Sequence, residues 1–102
     1  MEYSNHQSGD NVEIKLTGRL TFDDQRTFRE ILKVLCDAAC HRWVIDLTAL
    51  EFIDSAGLGL LLRIRNAGET SNANTALRVS ADGQVRDMMD IACFDQMFPY
   101  TN

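Results

Sequence analysis

The segment that most constrains the fold covers residues 43–47, the run Trp-Val-Ile-Asp-Leu. It is too short for a helix, and it is apolar enough to be a central strand of a sheet. Earlier in the chain, Val12, Ile14 and Leu16 alternate with polar residues, which is the period of a strand that meets water on one face. The chain is therefore expected to contain a sheet with an inner strand and one wet face.

Helical periodicity separates the predicted strands. From about residue 24 to residue 40, apolar side chains recur with the i, i+3, i+4, i+7 spacing of an amphipathic helix, and Thr21 with Asp24 can cap its start. A short connection is predicted over 48–53, followed by a helix from Ser55 to about Ala67 that is closed by Gly68. A strand is then predicted over 75–79, and a third helix is predicted to be capped by Ser80, with Val85, Met88, Met89 and Ala92 on one side. The chain is expected to end in an edge strand or tail from Phe98.

This order of strands and helices predicts an α/β fold whose right-handed crossovers place the helices together on one face of the sheet. The chain has 102 residues, which is the size of one domain with one core. We therefore expect a single domain over residues 1–102. Residues 1–11 are expected to form a weakly structured strand and turn, and residues 99–102 a tail.

Charge and hydropathy exclude several classes of partner. The formal charge of −5 repels nucleic acid at long range. No apolar stretch approaches the roughly 20 residues of a membrane span, and the first residues lack the basic and apolar regions of a secretory signal. We expect a cytoplasmic protein that binds neither nucleic acid nor membrane.

The cysteines Cys36, Cys40 and Cys93 form an odd set without the paired Cys-x-x-Cys spacing of zinc sites. This usage suits reduced, buried thiols. The alternative is a metal bound by Cys36 and Cys40 together with His41, which the spacing disfavours. We expect no metal and no cofactor.

Residues 53–59, the run Ile-Asp-Ser-Ala-Gly-Leu-Gly, carry the candidate chemistry. Ser55 lies where a strand and loop give way to a helix, and the free backbone amides of a helix start attract anions. The simpler interpretation is that Ser55 caps the helix and has no other role. Gly57 and Gly59 each weaken a helix by about 1 kcal/mol relative to Ala, which indicates that a close approach to this surface is needed.

The helix that follows Ser55 has apolar residues around more of its circumference than one core-facing stripe requires. They are Leu58, Leu60, Leu61, Leu62 and Ile64. Part of this apolar surface is expected to contact a partner. The alternative is a helix that is buried on two sides within the domain.

Two enzyme classes with related motifs do not fit the sequence. The nucleophile elbow of a serine hydrolase requires Gly at the position of Ile53, and His6 and His41 both precede Ser55. A phospho-accepting Asp46 would require an acidic pair for Mg²⁺ near the first strand and a late Lys, whereas both lysines lie in the first third of the chain. No enzyme activity is expected.

Three segments carry a family resemblance, namely residues 16–20 (Leu-Thr-Gly-Arg-Leu), 44–47 (Val-Ile-Asp-Leu) and 52–59 (Phe-Ile-Asp-Ser-Ala-Gly-Leu-Gly). Together they resemble the STAS domain of bacterial anti-sigma factor antagonists, and the similarity extends from residue 12 to residue 98. The resemblance implies a STAS-like α/β fold with a mixed sheet of four to five strands and helices packed mainly on one face.

The resemblance also implies a partner-switching function. In this family the serine at the position of Ser55 is phosphorylated by a histidine-kinase-like serine kinase and dephosphorylated by a PP2C-type phosphatase, while the unmodified form binds an anti-sigma factor. The ATP belongs to the kinase. By the same resemblance, the partner-binding residues are Asp23, Asp54, Ser55, Ala56, Gly57, Leu58 and Gly59. The alternative function is an interaction or scaffold module without a switch, in which Ser55 is only a helix N-cap.

The sequence departs from the family pattern at three positions. Where many antagonists have Glu and Asp, this chain has Arg19 and Thr21, so the acidic contact is either lost or shifted to Asp23 or Asp24. Ala56 stands where relatives have a hydroxyl residue, which removes any second phosphate acceptor.

Overall fold

The computed structural model describes residues 1–101, which form five strands and three α-helices. The strands are β1 (Glu2–Ser8), β2 (Asn11–Leu20), β3 (Arg42–Asp46), β4 (Leu50–Ile53) and β5 (Asn74–Arg78). The helices are α1 (Gln25–Asp37), α2 (Ser55–Thr70) and α3 (Gln84–Ile91), with short 3₁₀ turns at Phe22–Asp24 and Phe94–Gln96.

The sheet is mixed, as predicted, and has the strand order β1-β2-β3-β5. β1 is antiparallel to β2, whereas β3 is parallel to both β2 and β5. β2 is long enough to pair with two strands in succession, because residues 11–15 pair with β3 and residues 18–20 pair with β4. The register shifts between Gly18 and Arg19, where β2 passes from one partner strand to the other.

The core lies between the three helices and one face of the sheet. Val12, Ile14 and Leu16 are buried, whereas the residues between them are half-buried or exposed, so the predicted alternation of β2 is confirmed. Trp43 and Ile45 align in register with Val12 and Ile14 and are fully buried beside them. The predicted inner strand at 43–47 is therefore confirmed by β3, which has a neighbour on each side.

The opposite face of the sheet carries a cluster of charged side chains. The Arg78 guanidinium donates from Nη1 to Glu13 Oε1 at 2.6 Å and to Asp46 Oδ2 at 3.2 Å. Burial raises the pKa of Asp46, but hydrogen bonds from Thr48 and from Arg78 outweigh it and hold this pKa below its ordinary value. This pairing explains how a buried acidic residue is accommodated in an inner strand.

Several predicted boundaries are wrong, and the reasons differ. Residues 48–53, expected to be a connection, contain β4, a four-residue strand too short to show a period. Gly68 does not close α2 but lies inside it, where an added Cβ would meet Thr75 Oγ1 at 2.6 Å. The glycine therefore serves the close packing of α2 on β5, and the helix ends two residues later.

The other helix ends differ from the prediction by a few residues. α1 ends at Asp37 rather than near residue 40, because Ala39 adopts the left-handed conformation with φ of 55°. Ser80 does not cap α3, which begins at Gln84 after Gly83. Instead, the Ser80 hydroxyl donates to the Thr48 carbonyl and joins the loop after β5 to the loop after β3.

The two chain ends lie at opposite edges of the sheet. Residues 1–11 are more regular than expected, because Glu2–Ser8 form the full edge strand β1, followed by the predicted turn. At the other edge, Tyr100 forms a parallel bridge with Leu77, and the Leu77 amide donates to the Pro99 carbonyl at 2.9 Å. One bridge does not make a strand, so of the two alternatives for the end of the chain the described residues 99–101 fit a tail that contacts the edge of the sheet. No helix in residues 1–101 is long and apolar enough to cross a membrane.

Candidate functional site

Ser55 is placed by two parallel strands that end side by side. β2 ends at Leu20 and β4 ends at Ile53, and the Asp54 amide donates to the Leu20 carbonyl as the chain turns into α2. Ser55 is the first residue of α2, and it is exposed. The backbone amides of the first helical turn are therefore close to its hydroxyl, which is the expected setting for an anion.

The N-cap of α2 is Asp54, not Ser55. Asp54 has the extended backbone of an N-cap residue, with φ of −106° and ψ of −179°, and its Oδ1 accepts from the Gly57 amide at 2.7 Å. The interpretation that Ser55 only caps the helix is therefore wrong, because the cap is already supplied by the residue before it. The Ser55 hydroxyl is free to be modified without loss of the cap.

The two glycines after Ser55 have different surroundings. A Cβ on Gly57 would lie 2.4 Å from the Leu20 carbonyl oxygen and 2.7 Å from Ile53 Cγ1, so this glycine permits α2 to contact the ends of both strands. A Cβ on Gly59 would meet nothing within 4 Å. Since residues four apart share a helix face, Gly59 leaves the surface beside Ser55 bare.

The apolar residues of α2 are taken up mainly by the domain itself. The buried members are Leu58, Leu60, Leu61 and Ile64, and Leu62 is partly buried. The expectation that part of this apolar stripe contacts a partner is therefore wrong for the buried members, and the alternative of a helix buried on two sides is correct. α1 lies against one side of α2 and β5 against another.

The 3₁₀ turn Phe22–Asp24 lies next to the start of α2. Thr21 and Asp24 form a reciprocal capping box, in which the Thr21 amide donates to Asp24 Oδ2 at 2.7 Å. The predicted pair therefore exists, but it caps the 3₁₀ turn that leads into α1, and α1 itself has no side-chain cap. The Phe22 amide donates to Asp54 Oδ2 at 3.4 Å. Asp23 is exposed on this turn, whereas Asp24 is engaged in the capping box, so Asp23 is the more accessible of the two candidates for a shifted acidic contact.

The predicted partner-binding residues thus divide into two groups. The structure brings Asp23, Asp54, Ser55, Ala56 and Gly59 to one accessible surface, where they are exposed or partly exposed. Gly57 and Leu58 are buried beneath it and support the surface from inside.

Two aromatic residues at this edge of the molecule are not among the predicted site residues, although Phe52 begins the segment 52–59 that carries the family resemblance. Phe22 has 66% of its surface exposed, although a large apolar residue is usually covered. Phe52 is partly exposed, and the Arg19 guanidinium lies 4.3 Å above its ring centre. Arg19 therefore covers an aromatic ring at the position where many relatives carry an acidic side chain. An aromatic residue within a polar turn was the one available signal for Phe22.

The cysteines do not form a metal site. Within residues 1–101, no group of three or more His, Cys, Asp or Glu side chains is placed to hold a metal ion. All three cysteines are free, and Cys40 is buried as expected. Cys36 and Cys93 are exposed, so the expectation of buried thiols is wrong for these two, because each lies on the outer side of a helix or turn.

Comparison with known proteins decides the family. The family model described as "Mlab, STAS domain" matches residues 4–99. The chain belongs to the STAS family. It is 30% identical over 90 residues to the STAS-domain containing protein PA14_20770 of Pseudomonas aeruginosa, and the match covers 88% of this chain and 87% of that protein.

Solved structures share the fold of this STAS chain. An anti-sigma factor antagonist from Mycobacterium paratuberculosis has a TM-score of 0.79 at 18% identity, covering 97% of this chain and 83% of that chain. The unphosphorylated anti-sigma factor antagonist SpoIIAA has a TM-score of 0.73 at 19% identity, covering 99% and 88%. A sulfate transporter family protein from Wolinella succinogenes has a TM-score of 0.66 at 15% identity, covering 86% and 70%. These similarities establish the fold, which occurs in proteins of more than one function.

Proposed function

We propose that this STAS chain is a cytoplasmic anti-sigma factor antagonist whose binding is switched by phosphorylation of Ser55. The unmodified form binds an anti-sigma factor that is also a histidine-kinase-like serine kinase. That kinase phosphorylates Ser55, and a PP2C-type phosphatase restores the unmodified form. The chain itself has no enzymatic activity, and the phosphate comes from ATP held by the kinase.

The observation that supports this proposal most strongly is that Asp54 and Ser55 have separate positions at the start of α2. Asp54 caps α2, and Ser55 presents an exposed hydroxyl at the first helical position. A phosphate there adds a charge of about −1.5 to −2 next to the amides and the positive end of the helix dipole, which favour an anion. The fold is therefore expected to tolerate the modification.

The phosphate is expected to weaken the binding of the partner. Ser55, Ala56 and Gly59 have small side chains or none, so a partner has to approach α2 closely to exclude water there. A phosphate at Ser55 would occupy that space, and it would place a second negative charge beside Asp54 in a desolvated interface. Release of the partner then requires no large change in the conformation of the chain.

The proposal is tested by mass spectrometry of the protein recovered from its native cells, comparing growing and stressed cultures. We expect a peptide with phosphate on Ser55 whose occupancy changes between the two conditions. A Ser55 that carries no phosphate in either condition, in peptides that cover it fully, would contradict the switch.

A second candidate function is an interaction module without a switch. It is favoured by the occurrence of the same fold in a sulfate transporter family protein, which shows that the fold is not confined to anti-sigma factor antagonists. In that case the surface around Ser55 would bind its partner with the same affinity whether or not the serine is modified.

A further inference from the structure

Phe22 and Ile91 are the large apolar residues that the described chain leaves most exposed, at 66% and 79%. Single exposed apolar side chains are common on protein surfaces, so exposure alone assigns no role to either residue. The two differ in their surroundings. Ile91 is the last residue of α3, whereas Phe22 lies in a turn fixed against the start of α2.

Two sets of hydrogen bonds fix the turn that carries Phe22. The capping box of Thr21 and Asp24 closes the turn on itself. The Phe22 amide donates to Asp54 Oδ2, and the other oxygen of the same carboxylate accepts from the Gly57 amide. The backbone of Phe22 is thus attached to the residue that caps the Ser55 helix, so little loop entropy remains to be lost when the ring is covered.

We propose that Phe22 is the apolar anchor of the partner interface, and that it inserts into an apolar pocket of the partner protein beside a basic side chain that faces Asp23. This proposal depends on the proposed function in one respect, since that function places the partner interface next to Ser55. An aromatic ring that becomes fully covered removes about 150–250 Å² from water, and aromatic residues, including Phe, are enriched in protein interfaces. The exposed carboxylate of Asp23 follows directly in the chain and supplies the charge that the basic side chain would meet.

The occupant of this surface is identified first by photo-crosslinking in the native cells. Phe22 is replaced by p-benzoylphenylalanine, and Ile91 is replaced in the same way as a control. We expect position 22 to crosslink to another protein, at an apolar residue with Lys or Arg nearby, and position 91 to give no such adduct. An adduct only with a second copy of this chain, an adduct only with lipid, or no adduct at position 22 would overturn the proposal.

The captured protein is then purified, and its affinity for variants of the full chain is measured by titration calorimetry. We expect Phe22→Ala to weaken binding about tenfold or more, and Ile91→Ala to change it less than about twofold. Both variants should keep the unfolding midpoint of the unmodified protein, because both side chains are exposed. Equal affinities for Phe22→Ala and the unmodified chain would overturn the anchor.

The same titration separates this proposal from the switch on which it rests. If Ser55→Asp binds as tightly as the unmodified chain while Phe22→Ala binds weakly, the anchor is supported and the switch fails. If Ser55→Asp binds weakly while Phe22→Ala binds normally, the switch is supported and the anchor fails.

Discussion

Gly57 and Gly59 show how two identical residues, two positions apart, serve different purposes. Gly57 is required because α2 starts against the ends of β2 and β4, where a side chain would collide with the Leu20 carbonyl. Gly59 faces open space, so it is dispensable for folding and matters only for what approaches α2 from outside. The sequence alone assigns both glycines the same helix-weakening cost, since their surroundings are set by the sheet.

This difference predicts opposite effects of the same substitution. Gly57→Ala should lower the free energy of unfolding by about 1–3 kcal/mol, because its methyl group has to displace backbone. Gly59→Ala should raise it by about 0.5–1 kcal/mol, because Ala is the better helix former and meets nothing. Urea unfolding of the two variants measures both effects. A loss of similar size at both positions would contradict the assigned surroundings.

The residues of the site are predictable from the sequence to different degrees. Ser55 could be found because residue type, glycine content and family resemblance agree on one segment. The cap could not be assigned, because Asp54 and Ser55 are both good N-cap residues and only the backbone geometry separates them. The exposure of Phe22 could not be predicted, because it depends on the packing of a turn against a helix more than thirty residues later.

At the scale of elements, β4 and α3 are joined by one side chain. Gln84, the first residue of α3, accepts from the Ile53 amide at 2.9 Å and donates to the Ile53 carbonyl at 2.7 Å. It therefore satisfies both backbone groups of the last residue of β4, immediately before Asp54 and Ser55. Periodicity could not predict β4 or this contact, because both depend on pairing between distant segments.

Removing that side chain should destabilise the domain. Gln84→Ala leaves the Ile53 amide and carbonyl without their partner, and we expect the free energy of unfolding to fall by about 1–3 kcal/mol. Gln96→Ala is the matched control, because Gln96 is exposed, and it should change stability by less than about 0.5 kcal/mol. Denaturant unfolding of both variants tests this, and equal effects would show that the Gln84 contact does not stabilise the fold.

At the scale of the whole molecule, the charge cluster on the outer face joins β2, β3 and β5 through Glu13, Asp46 and Arg78. Its members are about thirty residues or more apart in sequence, so no local pattern could have predicted it. The class and layer arrangement of the fold could be predicted, because β2 alternates, β3 is a short apolar run and α1 shows a clear helical period. The strand order and the position of β4 could not, since long-range pairing determines them.

The cluster makes stability depend on pH in a defined direction. The pKa of Asp46 lies below its ordinary value of 3.8 in the folded chain, so its contribution is present above that value and is lost as the pH falls through the lower, folded pKa. Asp46→Asn should lower stability at pH 7 by about 1–3 kcal/mol and flatten the fall in stability below pH 4. Urea unfolding between pH 7 and pH 2.5 measures both changes. Asp82→Asn, at an exposed position, should behave as the unmodified protein, and an equal flattening in that control would contradict the assignment.

We expect phosphorylation of Ser55 to change the affinity for a partner without changing the fold of the molecule. Phosphorylation of Ser55 would make its formal charge of −5 more negative, but the added charge would lie at the start of α2, which favours an anion. Stability and binding should therefore respond differently to the same phosphate. Binding should fall, while the free energy of unfolding should change by less than about 1 kcal/mol.

The most direct test is the affinity of the proposed partner, an anti-sigma factor kinase, for the full chain made with phosphoserine at position 55, compared with the unmodified chain. We expect a loss of affinity of about thirtyfold or more, because the phosphate would be desolvated beside Asp54 in a closely packed interface. Equal affinity for the two forms would contradict the phosphorylation switch and leave an unswitched interaction module as the function of this STAS chain.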